Sequence, residues 1–252
     1  MKILFIGDVV GQNSCRELAA RLPSLKQKHH VDITIVNGEN SADGNGITPY
    51  SAGLLLDGGA DIITTGNHCF RRADMNPLYE ESSVIIRPAN FGDGVPGKGW
   101  CVLDCGSWQL AVVNLIGTAF MQPVENPFHY ADKVLEQITT KNIIVDFHAE
   151  ATSEKKAMGY YLAGRVSAVI GTHTHVQTAD EQILDGYTGY ITDAGMTGPE
   201  NSVLGIDRNV IINRLTTYYP QRHTYGDGET VINAVLIDID VKSGRCLDIC
   251  RI

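Results

Sequence analysis

The apolar positions of the chain fall in short runs separated by glycine-rich polar stretches, and run after run ends in a similar polar cluster. Lys2 to Ile6 is nearly continuous apolar sequence, the pattern of a strand buried on both faces, and it stops at Gly7-Asp8. Leu18, Leu22 and Leu25 then recur at helical spacing up to His29-His30, with Ser14-x-x-Glu17 predicting a capping box and Pro23 a kink. A second strand, Asp32 to Val36, ends in Asn37-Gly38-Glu39-Asn40; the loop Ser41 to Thr48 leads into a short helix from Tyr50 to Leu56. A third strand, Asp61 to Thr65, ends in Gly66-Asn67-His68. Strand, loop and helix thus recur three times, the pattern of an α/β fold.

A looser region follows, from Cys69 through Arg87-Pro88-Ala89-Asn90 to the glycine-rich stretch 92–99. Trp100 to Asp104 and Gln109 to Leu115 predict a hairpin turning at Gly106-Ser107. Ala131, Val134, Leu135 and Ile138 mark a helix. The strand Asn142 to Phe147 ends at His148-Ala149-Glu150, and Thr152 or Ser153 is expected to cap a helix carrying Ala157, Met158, Tyr161 and Leu162. Val166 to Ile170 reads as a strand leading into Gly171-Thr172-His173-Thr174-His175, and Tyr190 to Thr192 as one ending at Asp193. A helix from Arg208 to Leu215 and strands Val231 to Val241 and Cys246 to Ile249 complete the pattern. No internal repeat, low-complexity tract or composition shift marks a linker, so residues 1–252 are expected to form a single domain.

Composition narrows the function classes. Hydrophobic content of 43% and charged content of 19% are ordinary for a globular protein. A net charge of -9 argues against a broad electrostatic grip on long nucleic acid or anionic membrane. It leaves room for a small phosphate ligand held by metal ions, whose charge the count omits. No apolar run approaches a membrane span and the N-terminal run is too short for a signal peptide; with six cysteines, this predicts reduced thiols in a cytoplasm. Cys101/Cys105 and Cys246/Cys250 form two C-x3-C pairs, but both sit in strand-like runs and not in tight knuckles, so core packing is expected ahead of structural zinc.

The candidate chemistry lies at the strand ends. On an extended strand His173 and His175 would project from the same side, a natural pair of metal ligands. Taken singly, an Asp or Asn after a strand is usually a turn residue or helix cap, and a lone His a surface group. Here five strands end in Asp8; Glu39 and Asn40; Asn67 and His68; His148; and His173 and His175. In α/β sheets, ligands bind beyond the carboxyl ends of the strands, so the recurrence predicts a metal centre there. Eight residues exceed the needs of one tetrahedral zinc, and mixed oxygen and nitrogen donors without Cys suit two ions such as Fe, Mn or Mg. Glu39, whose two oxygens could bridge, is the candidate for the shared ligand. Such a pair, about 3.5–4 Å apart, clamps the oxygens of an in-line displacement at phosphorus.

The order Gly-Asp, Gly-Glu-Asn, Gly-Asn-His, a lone His and Gly-x-His-x-His resembles that of the calcineurin-like metallophosphoesterases. More narrowly, the stretches IGDVVG, VNGENSADGNGIT, ITTGNH, RPANF, PGKGW, VDFHAEATSEK, VIGTHTHVQTADEQIL and ITDAGMTGPENSVLG resemble the YmdB-type branch, bacterial 2′,3′-cyclic-nucleotide 2′-phosphodiesterases. Val10 stands where the wider superfamily has the His of Asp-x-His, and Glu39 where it usually bridges with Asp; both departures follow the branch's own pattern.

The resemblance implies an α/β/β/α layered sandwich with the metal site at the carboxyl ends of the strands. It implies Asp8, Glu39, Asn40 and His175 on a first metal and Glu39, Asn67, His148 and His173 on a second. His68 is left as the general acid, and a bridging hydroxide opens a 2′,3′-cyclic phosphate to a 3′-nucleotide.

Weaker readings stand beside these. Glu150 either orients a ligand or caps the following helix, Arg87 either reaches a phosphate or is a structural charge, and Cys69 is expected to pack. His29, His30, His129 and His223 lie outside the motifs and read as surface. Two competing functions are a less selective phosphomonoesterase or phosphodiesterase and a regulatory protein acting through protein partners in RNA metabolism. Self-association is left open.

Overall fold

The computed structural model describes all residues from Met1 to Ile252. In chain order the elements are β1 (Lys2–Ile6), β2 (Asp8–Val9), α1 (Gly11–His29), β3 (Ile33–Asn37), α2 (Pro49–Asp57), β4 (Ile62–Thr64), α3 (Asn76–Glu81), β5 (Trp100–Asp104), β6 (Gln109–Ile116) and α4 (Pro127–Leu135). There follow β7 (Ile143–His148), α5 (Thr152–Leu162), β8 (Ala168–Thr172), β9 (Gln182–Leu184), β10 (Thr188–Ile191), β11 (Met196–Asp207), α6 (Arg208–Thr217), β12 (Tyr225–Ile232), β13 (Ala234–Ile239) and β14 (Cys246–Arg251).

Two sheets, ordered β14-β13-β1-β3-β4 and β5-β6-β7-β8-β10-β9, carry most of the chain. β1, β3 and β4 run parallel, as do β6, β7, β8 and β10. Side-chain alternation sorts each strand into two layers. Ile3, Phe5, Ile35, Ile62, Val112, Ile144 and Ile170 form one core between the sheets. Their neighbours Leu4, Ile6, Val36 and Ile63 turn outward onto Leu18 and Leu22 of α1 and Leu55 of α2. On the other sheet, Val113, Val145, Phe147 and Val169 turn outward onto Val134 of α4 and Met158 and Leu162 of α5. The result is the expected α/β/β/α sandwich, and burial on both faces explains the nearly continuous apolar runs. Each buried large apolar side chain contributes about 1.5–3 kcal/mol. No helix is long and apolar enough to cross a membrane.

Several local expectations are corrected. α1 begins at Gly11 with Val10 as N-cap and no side-chain cap, so Ser14 and Glu17 form no capping box. The free amide of Gln12 is instead satisfied by Asp43 Oδ1 at 3.1 Å, from a loop far along the chain. Pro23 lies inside an unbroken helix. α5 has Ala151 as N-cap without a side-chain bond, so neither Thr152 nor Ser153 caps it. The single strand expected from Val231 to Val241 is two, because Asn233 hands the chain from β11 to β1: its amide bonds Met196 O and its carbonyl accepts from Gly7 N. The long β11, rich in Gly, Pro and Asn, was absent from the sequence pattern; with β2 and β12 it forms a third, three-stranded sheet.

All six cysteines are free thiols. Cys246 and Cys250 lie on one extended strand, about 13 Å apart at the usual rise, too far to share a zinc. Arg87 is a structural charge: buried, it donates to the carbonyls of Pro88, Ala89, Gly92, Pro96 and Gly97, wrapping the glycine-rich segment around one guanidinium. Arg87→Met is therefore expected to cost about 2–4 kcal/mol of stability by leaving buried carbonyls unpaired. Thermal melts should show that loss, while catalytic efficiency of the folded fraction stays at the wild-type level.

Candidate metal centre

Eight side chains from five separate strand ends meet beyond the carboxyl ends of β3, β4, β7 and β8 and at β2. They are Asp8, Glu39, Asn40, Asn67, His68, His148, His173 and His175, all the residues the sequence pattern singled out. Asp8, Glu39 and His148 are fully buried. One oxygen or nitrogen each from Glu39, His148 and His173 lie within 4.8 Å of one another. Gly66 permits this convergence, because a Cβ there would stand 2.3 Å from Glu39 Oε2 and 2.4 Å from His148 Nε2.

Each imidazole is anchored on its outer nitrogen. Thr172 Oγ1 donates its one proton to Asp146 Oδ1 at 2.7 Å, so at 2.9 Å it accepts from His148 Nδ1. His173 Nε2 donates to Glu150 Oε2 at 3.0 Å. His175 Nδ1 donates to Leu204 O at 3.1 Å. With the outer nitrogens protonated, three inner lone pairs face the cluster. His148 Nε2 lies 3.0 Å from His173 Nδ1, 3.0 Å from Asn67 Oδ1 and 3.2 Å from Glu39 Oε2. Four acceptors gathered so closely repel unless a proton or a cation lies among them. His175 Nε2 faces a different group, 3.8 Å from Asp8 Oδ1 and 3.3 Å from the Asn40 amide. Asp8 Oδ1 is buried without any hydrogen-bond partner.

Strand alternation is not what brings His173 and His175 to the site. β8 ends at Thr172, and both histidines have left-handed backbone, φ 104° and 64°. They do not project as strand neighbours, and the turn between them aims the two rings at different partners. Such positions cost of order 1–3 kcal/mol each and persist only where the surroundings impose them.

Asn40 presents Nδ2 to Glu39 Oε1 at 2.8 Å and Oδ1 to His68 Nδ1 at 3.0 Å. As a metal ligand it would use Oδ1, whose second lone pair His68 does not occupy. His68 Nδ1 also lies 3.4 Å from Glu39 Oε1, and its backbone amide donates to Glu39 Oε2 at 3.1 Å. The Nε2 atom of His68 has no protein partner. The ring borders a cavity of about 310 Å³, within the roughly 300–1,000 Å³ of small-molecule sites, whose walls include Asn45, Thr174, Leu204, His223 and Tyr225. No Lys or Arg lines this cavity. His223, read as surface, is exposed at this wall.

Support beneath the cluster was not singled out from the pattern. Asp146, fully buried in β7, accepts from Thr64 Oγ1, Asn37 Nδ2 and Thr172 Oγ1. Asn37 Oδ1 in turn accepts from the amide of Glu39. A carboxylate in the middle of an apolar strand was the available signal for Asp146. Glu150 is on His173, which decides between its two readings.

Burial opposes charge on Glu39, but the His148 and His68 rings hold its carboxyl well below the usual range. Burial pushes Asp8 up, against the pull of His175 and His148. Burial would lower His148, yet the charge and hydrogen bond of Glu39, with Asp8, carry it from 6.5 to about 9. Burial, then the neighbouring His148, push His173 from 6.5 down to about 3. Burial lifts Asp146 to about 6.

The fold, two sheets face to face between helical layers with a polar cluster at the parallel strand ends, is that of the phosphoesterase class. The chain matches the family described as YmdB-like protein over residues 4–252, and it belongs to that family. It is 46% identical over 254 residues to the 2′,3′-cyclic-nucleotide 2′-phosphodiesterase of Bacillus subtilis (strain 168), covering 100% of this chain and 96% of that one. A crystal structure of a hypothetical protein from Thermus thermophilus superposes with a TM-score of 0.94 at 38% identity, covering 100% of this chain and 98% of that chain. A structure described as a novel phosphatase from Mycoplasma pneumoniae gives 0.94 at 31% identity, covering 100% and 92%. The chain is accordingly an enzyme of the phosphatase and phosphodiesterase class.

The shifted histidines set a pH window for the metal-free protein. Folding raises the His148 value, so its stabilisation is complete below 6.5 and is lost as pH rises through about 9. Folding lowers the His173 value, so its stabilisation is present above 6.5 and is lost as pH falls toward about 3. Chelator-treated protein should therefore melt at progressively lower temperature between pH 6.5 and 9. A melting temperature that stays flat or rises across that interval contradicts a proton shared by His148 and Glu39.

Proposed function

We propose that the chain hydrolyses 2′,3′-cyclic nucleotides to 3′-nucleotides at a centre of two metal ions, iron or manganese ahead of magnesium. The observation that carries this is the set of three imidazoles, each anchored outside and presenting its inner lone pair to two buried carboxylates and Asn67. A cluster of acceptors in a cavity without Lys or Arg repels an anionic phosphate unless cations fill it. The oxygen and nitrogen donors, without thiolate, suit those ions. The name of the Bacillus subtilis relative supports the substrate class.

In this reading Asp8, Glu39, Asn40 and His175 would hold one cation, and Glu39, Asn67, His148 and His173 the other. His173 and His175 would thus serve different ions, in keeping with their different neighbours. When bound, the cations neutralise the phosphate and its developing charge and activate the attacking water.

The remaining chemistry belongs to the chain. Asp146, through Thr172, holds the proton of His148 on Nδ1 and keeps Nε2 free. Glu150 holds the proton of His173 on Nε2 and keeps Nδ1 free. His68 stands at the cavity with Nδ1 engaged by Asn40 and Nε2 open. With Nδ1–H donating to Asn40 Oδ1, as found, a proton taken up at Nε2 makes the ring an imidazolium. The Nε2 proton would pass to the ribose O2′ as its bond to phosphorus breaks, leaving the ring neutral; the water oxygen joins phosphorus and releases one proton to solvent, and the phosphate stays on O3′.

His68→Ala should lower kcat on 2′,3′-cyclic AMP by about 10²–10⁴-fold, while elemental analysis finds wild-type metal content. Undiminished turnover removes His68 from proton donation. Across 2′,3′-cyclic AMP, 3′,5′-cyclic AMP and a simple monoester, the first is expected to be fastest; equal rates on all three would favour the less selective esterase.

A further inference from the structure

Asp193 and Lys155 form an ion pair that lies outside the set of candidate ligands and has no role in the chemistry above. Both are buried, Lys155 on α5 and Asp193 just after β10, with Nζ 2.6 Å from Oδ2. Ion pairs are rarely placed so deep, and the carboxylate's other contacts show what this one holds. Asp193 Oδ2 also accepts from the backbone amide of Thr174 at 3.0 Å and from its hydroxyl at 2.7 Å. Thr174 is the residue between His173 and His175, both in the left-handed region. The preceding amide, that of His173, is taken by Asp8 Oδ2 at 3.1 Å. Two successive amides of a strained turn are thus captured by two buried carboxylates.

The other oxygen of Asp193 reaches the opposite side of the centre. Oδ1 accepts from Gly195 N at 2.9 Å, and the carbonyl of Gly195 accepts from Asp8 N at 3.0 Å. One carboxylate therefore braces both the His-x-His turn and the backbone of Asp8. Lys155 neutralises it from below, so that its lone pairs serve Thr174 and Gly195 without an uncompensated buried charge.

We infer that Asp193, with Lys155, is the positioning residue of the metal centre. Through Thr174 it fixes the separation and aim of His173 and His175, so that one imidazole faces each ion. The inference rests on the two-metal reading and adds a determinant that touches neither ion nor substrate. Residues that orient ligands in this way typically change metal affinity by 10–100-fold.

Thr174→Val removes the hydroxyl bond to Asp193 and keeps size and backbone; Thr174→Ser keeps the hydroxyl. Calorimetric titration of chelator-treated protein with Mn²⁺ alone is expected to show about tenfold weaker binding for Thr174→Val. Thr174→Ser should bind within about twofold of wild type, and metal-free Thr174→Val should stay folded with a melting temperature lowered by a few degrees, the loss of one charge-assisted hydrogen bond. Asp193→Asn, if folded by circular dichroism, should weaken Mn²⁺ by up to about 100-fold. Wild-type affinity in Thr174→Val overturns the inference alone. Absence of Mn²⁺ binding by the wild-type protein overturns it together with the two-metal reading.

Discussion

Two carboxylates, Asp8 and Glu39, are fully buried beside three imidazoles, and no Lys or Arg lines the cavity that Glu39 borders. Burying such charges costs several kcal/mol per ion unless they are compensated. The imidazoles cannot supply that compensation by hydrogen bonding alone, because their outer nitrogens carry the protons that bond Thr172, Glu150 and Leu204. Protons or metal ions must enter the cluster, and the surrounding structure is arranged around that requirement.

The sandwich supplies the means. Parallel strands bring residues distant in sequence to one edge, and the strands beneath are rigid because both their faces are packed. Two further buried carboxylates are fully engaged: Asp146 gathers Thr64, Asn37 and Thr172, and Asp193 gathers Lys155, Thr174 and Gly195. These buried carboxylates hold their neighbours in orientation, where Asp8 and Glu39 would bind charge. Gly66 leaves the space into which Glu39 and His148 close.

What was legible in the sequence had a local cause. An apolar run that stops at Gly-Asp, Gly-Glu-Asn or Gly-Asn-His marks both a strand and its carboxyl end, so the eight clustered residues could be named before their geometry. What was illegible depended on distant partners. Ser14 and Glu17 fit a local capping rule, but Asp43 satisfies the helix amide from another loop. β11 lacks alternation because it is a polar ribbon paired with β12, with Gly198, Pro199 and Asn201 along it. Asp193 carried the same signal as Asp8, an acid after an apolar strand, but only its contacts distinguish a brace from a ligand. The His-x-His spacing pointed to two residues that do face the cluster, but the turn aims them by positive φ and not by strand alternation.

Anomalous diffraction from crystals loaded with Mn²⁺ tests the central claim most directly. Two peaks about 3.5–4 Å apart are expected, with Glu39 between them, His175 on one and His173 with His148 on the other. A single peak, or one ion held by His173 and His175 together, would contradict the account.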